Sequence, residues 1–224
     1  MPAPDASGYY SIKVSPNAAK PGRPWLRVVP DTGTTNTYPG PSDDELIEAV
    51  VRGDDRVAAL LHDRVVGAVD RTLYRIFGRR EVDHDDLVQS TFEQIVITLC
   101  RRRFARACSL TTWAATVATH VGLNALRARR RERRVVDHAQ SVDDAPPVSA
   151  EGALDARQEL ARLREHLAAM DPVKAETLFL HDALGHDLAE VAVLTGVSVS
   201  AAQSRLVRAR KELMARVERD GGRR

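Results

Sequence analysis

At 224 residues and 43% hydrophobic side chains, the chain is long enough for one large or two small packed cores. Aromatics are only 4% of it, so the apolar content is Ala, Val and Leu, which suits helical bundles and argues against a β-sandwich. A net charge of +2, two cysteines (Cys100 and Cys108), no apolar run near the roughly 20 residues that span a bilayer and no signal-peptide h-region exclude a disulfide framework, membrane insertion and secretion, so a soluble, cytoplasmic protein is expected.

Residues 1–41 are rich in Pro, Gly, Thr and Ser, with Tyr9, Tyr10, Trp25 and Tyr38 scattered among them. They read as a disordered N-terminal extension, with a short strand at Trp25–Val29 as its candidate element. From 42 to 134 the pattern is helical. Ser42 with Glu45 forms a capping box that opens a helix stopping near Gly53. Asp54 starts a second, through Leu60, Leu61, Val65, Val69, Leu73 and Ile76 to Gly78. A third follows Asp83, with Leu87, Thr91, Phe92, Ile95 and Leu99 as its stripe. A fourth begins near Ser109 and carries Trp113, Val117, Val121 and Leu126 into an arginine block.

That block is Arg127, Arg129, Arg130, Arg131, Arg133 and Arg134, interrupted only by Ala128 and Glu132. A helix C-terminus favours basic residues, but six exceed what a dipole asks for. Arginines neutralise phosphates and release counterions, and exposed aromatics and amides engage unpaired bases. His120 and Asn124, four apart, share a face just upstream, with Thr112 and Trp113 a few turns back. Trp113 taken alone reads better as core than as a stacking platform.

Residues 135–156 lose periodicity and gain Asp143, Asp144, Pro146 and Pro147, which reads as a flexible linker. Residues 157–219 are helical again, with a Leu160, Leu163 and Leu167 stripe and an Asp171-Pro172 helix start. The expected fold is all-α: two small helical domains, 42–134 and 157–219, on a tether.

The most informative segment runs from Leu184 to Leu213 and reads as a helix-turn-helix. Asp187 with Glu190 caps a short helix bearing Val191 and Leu194. Gly196 supplies the left-handed turn position, and Ser198 caps the next helix. There Ala202, Leu206, Ala209 and Leu213 make one buried stripe, while Ser200, Gln203, Ser204, Arg205, Arg208, Arg210 and Lys211 occupy the other faces. A helix apolar on one side and donor-rich on the others is what a major-groove reader needs.

Enzyme chemistry finds no support. There is no P-loop, no dinucleotide fingerprint and no His-Glu-x-x-His. Asp83-His84-Asp85-Asp86 are successive helical residues pointing different ways, and read as a solvated, capping cluster rather than a metal site. Cys100 and Cys108 lack partners at zinc spacing and read as ordinary thiols. No cofactor is expected.

Together these segments resemble a sigma factor of the sigma-70 family, extracytoplasmic-function subfamily. Asp43 to Ile47 with Gly53-Asp54 resembles the opening helix, and Asp86 to Phe92 the segment that docks on core RNA polymerase. Leu110 to Trp113 resembles the promoter-melting motif, and Leu123 to Arg127 with the following arginines the segment facing the minus-10 element. Gly196-Val197-Ser198, Ser204-Arg205-Leu206 and Arg208-Ala209-Arg210 resemble the minus-35 reader. Any one match is weak; all of them in order are specific.

The resemblance implies that Asp86 and Gln89 contact core polymerase. It implies minus-10 contacts from Thr112, Trp113, His120, Asn124, Arg127, Arg130 and Arg131, and minus-35 contacts from Ser200, Gln203, Ser204, Arg205, Arg208 and Lys211. The partners would be core polymerase and promoter DNA, with an anti-sigma factor as a further candidate. His120 and Asn124 stand where the family commonly has Asn and Asp, Leu110 replaces Phe, and Ala201 and Gln203 replace Thr and Lys, so the promoter sequence does not transfer from relatives. The competing reading is a stand-alone helix-turn-helix regulator with an N-terminal sensor or dimerisation domain. The first domain separates the two: a sensor needs a pocket or a dimer seam, and this one offers a polar docking helix and an arginine-rich helix end.

Overall fold

The computed structural model describes residues 40–137 and 151–221. The expected N-terminal extension, its candidate strand and most of the expected linker fall outside them.

The N-terminal unit holds α1 (Asp43–Val51), α2 (Asp55–Phe77), α3 (His84–Cys100) and α4 (Leu110–Asp137). Ser42 and Glu45 form the reciprocal capping box, with the Ser42 N–H donating to Glu45 Oε2 at 2.7 Å and the Glu45 N–H to Ser42 Oγ at 3.3 Å. Asp54 caps α2 by accepting from the Arg56 N–H. Gly78 ends α2 at φ 71°, a conformation that costs glycine nothing. Leu61, Val65, Val69, Leu73, Leu87, Ile95, Leu99, Leu110 and Ala114 fill the space between the helices. Gly122 lets α4 lie close on α2: a Cβ there would fall 2.5 Å from Ile76 Cδ1.

The C-terminal unit holds α5 (Glu151–Ala169), α6 (Pro172–Leu178), a π-helical turn at Phe179–Ala183, α7 (Leu188–Leu194) and α8 (Val199–Gly221). Asp171 caps α6 by accepting from the Val173 and Lys174 N–H groups, with Pro172 at the first helical position. Leu180, Val191, Ala192, Leu194 and Ala202 form a local core.

Three features differ from the sequence expectation. The helices reach into the expected linker, since α4 continues to Asp137 and α5 begins at Glu151. Loss of an apolar stripe is not a helix stop: no Pro interrupts these ends, and Gly152 is accommodated inside α5. The cluster around Asp83 is not simply solvated. His84 is 3% exposed with Nε2 at 2.8 Å from Asp70, and Asp83 makes no side-chain cap but pairs with Arg129. Finally, the units are not apart. The main core runs on from Leu123 and Leu126 of α4 into Ala168, Met170, Ala175, Leu178 and Phe179.

Candidate nucleic-acid interface

The helix-turn-helix is built as its residue types dictate. Asp187 accepts from the Glu190 N–H at 2.8 Å, and Glu190 Oε2 returns an acceptor to the Asp187 N–H at 3.0 Å. Gly196 turns the chain at φ 66°. Ser198 Oγ then accepts from the Ala201 N–H at 3.2 Å. Ala202, Leu206 and Ala209 are at most 3% exposed, which orients α8. That leaves Ser200, Gln203, Ser204, Arg208 and Lys211 exposed and Arg205 half-buried. Ser200, Ala201, Ser204, Arg205 and Arg208 line an open concavity of about 270 Å³. Arg210 points elsewhere, its Nε donating to Asp182 Oδ2 at 3.0 Å. It also holds the Asp182 carboxyl below its usual range.

In α3 the buried side is Leu87, Thr91, Ile95 and Leu99, and Asp86 and Gln89 are exposed. Gln89 Nε2 donates to Glu93 Oε1 at 3.2 Å, so the face is polar and continuous over a turn.

Along α4 the expected residues have different fates. Thr112 belongs to the helix start: its N–H donates to Ser109 Oγ at 3.1 Å. Trp113 is 5% exposed and its ring packs on Phe104 at 4.7 Å, so it is core here rather than a platform for bases. His120, Asn124 and Arg127 form a chain. Asn124 Nδ2 lies 2.9 Å from His120 Nε2, and Arg127 Nη1 donates to Asn124 Oδ1 at 2.8 Å. Burial, aided by the Arg127 charge, pushes the His120 pKa down.

The arginine block separates into distinct roles. Arg129 pairs with Asp83 and stacks over Phe77 at 4.4 Å, which ties α4 to the α2–α3 corner. Arg130 and Arg133 both reach Glu165 of α5. Arg131 and Arg134 are exposed.

Two acidic residues in the C-terminal unit escaped sequence reasoning. Glu165 sits opposite Arg130 and Arg133. Glu176 of α6 lies within electrostatic reach of Arg127 and Arg205, yet burial outweighs both charges and raises its carboxyl to about 7. Nothing in the local pattern of either residue marks it, because the signal is the packing of two units distant in sequence. Among the described residues no helix is long and apolar enough to cross a membrane.

Two family models match the chain: "Sigma-70 region 2" over residues 61–132 and "Sigma-70, region 4" over residues 160–213. The RNA polymerase sigma factor NccH of Alcaligenes xylosoxydans xylosoxydans is 31% identical over 182 residues, covering 77% of this chain and 93% of NccH. The ECF RNA polymerase sigma factor SigC of Mycobacterium tuberculosis is 27% identical over 183 residues, covering 80% of this chain and 95% of SigC. A solved structure of CnrH in complex with the cytosolic domain of CnrY is 26% identical, covers 80% of this chain and 99% of CnrH, and superposes with a TM-score of 0.47. The matched regions stand in the order the helices do, and the chain belongs to the sigma-70 family, extracytoplasmic-function subfamily: a non-catalytic RNA polymerase subunit that directs promoter-specific initiation of transcription.

Proposed function

We propose that α8 reads the minus-35 element through Ser200, Gln203, Ser204, Arg205, Arg208 and Lys211. The observation that carries this is the exposed donor face of α8, held outward by the buried Ala202, Leu206 and Ala209 behind the Gly196 turn. Gln203 can pair bidentately with adenine, and Arg205 and Arg208 with guanine or phosphate. The minus-10 contacts are assigned to His120, Asn124, Arg127, Arg130 and Arg131 of α4. Thr112 and Trp113 support that helix from its start. Asp86 and Gln89 of α3 dock on core polymerase.

The working units are 42–134 and 157–219, joined across 135–156, and they act in the cytoplasm. An anti-sigma factor is the further partner assigned to this chain, in line with its family.

The test is run-off transcription by core enzyme with wild type, Arg208→Ala or Gln203→Ala on promoters differing only at minus-35. Loss of discrimination at single base pairs supports the assignment. Unchanged discrimination in both variants contradicts it.

A further inference from the structure

α3 ends in a turn that its residue types do not favour. The Arg102 N–H donates to the Leu99 carbonyl at 2.8 Å and the Arg103 N–H to the Thr98 carbonyl at 3.1 Å, the two bonds of a Schellman motif. The left-handed position of that motif is ordinarily glycine, yet here it is Arg102, at φ 51°. Arg106 is left-handed as well, at φ 55°. Among the described residues these are the non-glycine positions with positive φ. A side chain in that region is strained and persists only where its surroundings hold it.

The holding groups belong to α1. Both Nη nitrogens of Arg102 donate to Glu48, at 3.5 and 3.4 Å. Arg106 donates to Glu48 too, and to Asp44 Oδ1 at 2.9 Å. Asp43 accepts from the N–H of Leu110, the first residue of α4, at 2.9 Å. Packing alone does not fix the 101–109 loop against α1. A concavity of about 350 Å³ lies between them, lined by Ile47, Val51, Leu99 and Phe104 together with the ion-paired side chains. On its other side the loop meets α4, where Phe104 packs on Trp113 at 4.7 Å. An isolated exposed ion pair contributes little, but here two guanidinium groups converge on one carboxylate.

We infer that Glu48, assisted by Asp44, is a positioning residue for promoter opening: it fixes the 101–109 loop, and through Phe104 the start of α4, in the geometry that receives the separated strand. The inference rests on the minus-10 assignment of α4 above and adds to it a helix that touches no DNA. A carboxylate repels phosphate, so Glu48 acts through Arg102 and Arg106 rather than by contact. The pairing turns those two cations toward α1 and leaves Arg103 exposed between them.

The test uses holoenzyme made from core polymerase and the full chain, on a promoter that wild-type holoenzyme selects from a random-sequence library. Opening is followed by the fluorescence of 2-aminopurine in the minus-10 segment, on the duplex and on a template already unpaired there. Glu48→Ala is expected to open the duplex about tenfold more slowly, the scale of one lost charge-assisted hydrogen bond, and to initiate like wild type on the unpaired template. A merely structural loss would lower initiation on both. Wild-type opening of the duplex overturns the inference, and so does a deficit that persists on the unpaired template. Glycine adopts the left-handed backbone unaided, so adding Glu48→Ala to Arg102→Gly with Arg106→Gly should cause no further slowing. Tenfold further slowing in that background contradicts the clamp. Asp44→Ala gives a second variant, with slower duplex opening and recovery on the unpaired template again expected, and unchanged opening counting against it. Arg131→Ala separates the two readings. If it leaves opening unchanged, the minus-10 assignment fails; if it slows opening while Glu48→Ala does not, the inference alone fails.

Discussion

Asn124 Nδ2 stands 2.9 Å from His120 Nε2, one helical turn apart on α4. Donation from the amide requires that nitrogen to keep its lone pair, which favours neutral imidazole. The other end of the same amide accepts from Arg127 at 2.8 Å, so a cation stands behind it.

The first prediction concerns this chain. His120 is expected to titrate below its ordinary 6.5, since burial and then Arg127 both disfavour the charged ring. A depressed folded pKa means the unfolded chain takes up the proton first, so His120 costs stability as pH falls below 6.5. Asn124→Asp places a carboxylate against the ring and should move the titration upward. An imidazole titration by NMR on both proteins checks it. A wild-type midpoint at or above 6.5 contradicts the reading.

Glu176 provides the second, with the opposite sign. Its folded pKa is raised to about 7 from 4.5, so its contribution is fully present below 4.5 and is lost as pH rises through 7. Glu176→Gln should match wild type near pH 4.5 and be more stable at pH 8. The gain is about 1–3 kcal/mol at 1.36 kcal/mol per pKa unit, toward the low end because the side chain is partly exposed. Thermal melts of both proteins at the two pH values decide it. Equal melting temperatures at pH 8 refute it.

The third concerns docking. Asp86 and Gln89 are exposed on α3, away from the Leu87, Thr91 and Ile95 side. Asp86→Arg with Gln89→Ala should leave helicity intact and weaken binding to core polymerase, by about 2–5 kcal/mol if the contact is desolvated. Native-like circular dichroism together with wild-type polymerase affinity would remove α3 from the docking surface.

A fourth separates base from phosphate contacts on α8. Arg208 is exposed and Arg205 half-buried on the same concavity. A base reader lost to alanine costs roughly 1–3 kcal/mol on cognate DNA alone, whereas a lost phosphate contact weakens binding on every sequence and lowers the salt slope by about 1. Holoenzyme affinity measured against salt on cognate and scrambled minus-35 DNA distinguishes them. No change in either quantity for either alanine variant takes α8 off the DNA.

Local chemistry made much of this molecule legible in advance. Ser42 with Glu45, Asp171 with Pro172, and Asp187 with Glu190 mark helix starts because each supplies acceptors for orphan N–H groups within its own turn. Leu87, Thr91, Ile95 and Leu99 were readable as one buried face for the same reason of spacing. The π-helical turn at Phe179–Ala183 was not, since it is a small departure in winding that no residue type announces. The arginine block looked uniform in the sequence. Its division among Asp83, Glu165 and solvent depends on what packs beside α4, which is a long-range property. The same holds for the apposition of the two units. Leu178 and Phe179 carry no local signal of a distant partner, and only the fold places their elements against α4. Family membership settles the choice that sequence left open, in favour of the polymerase subunit over the stand-alone regulator.

The central claim is that two weak DNA readers become one strong one when polymerase holds them at a set distance. Run-off transcription with purified core enzyme, on promoters whose minus-35 to minus-10 spacer is varied one base pair at a time, tests it most directly, with a gel shift of the free chain on the same templates. The expected result is a sharp optimum in spacer length for the holoenzyme and little binding by the free chain on any template. Tight, sequence-specific binding by the free chain, with no stimulation of core polymerase at any spacing, would contradict the account.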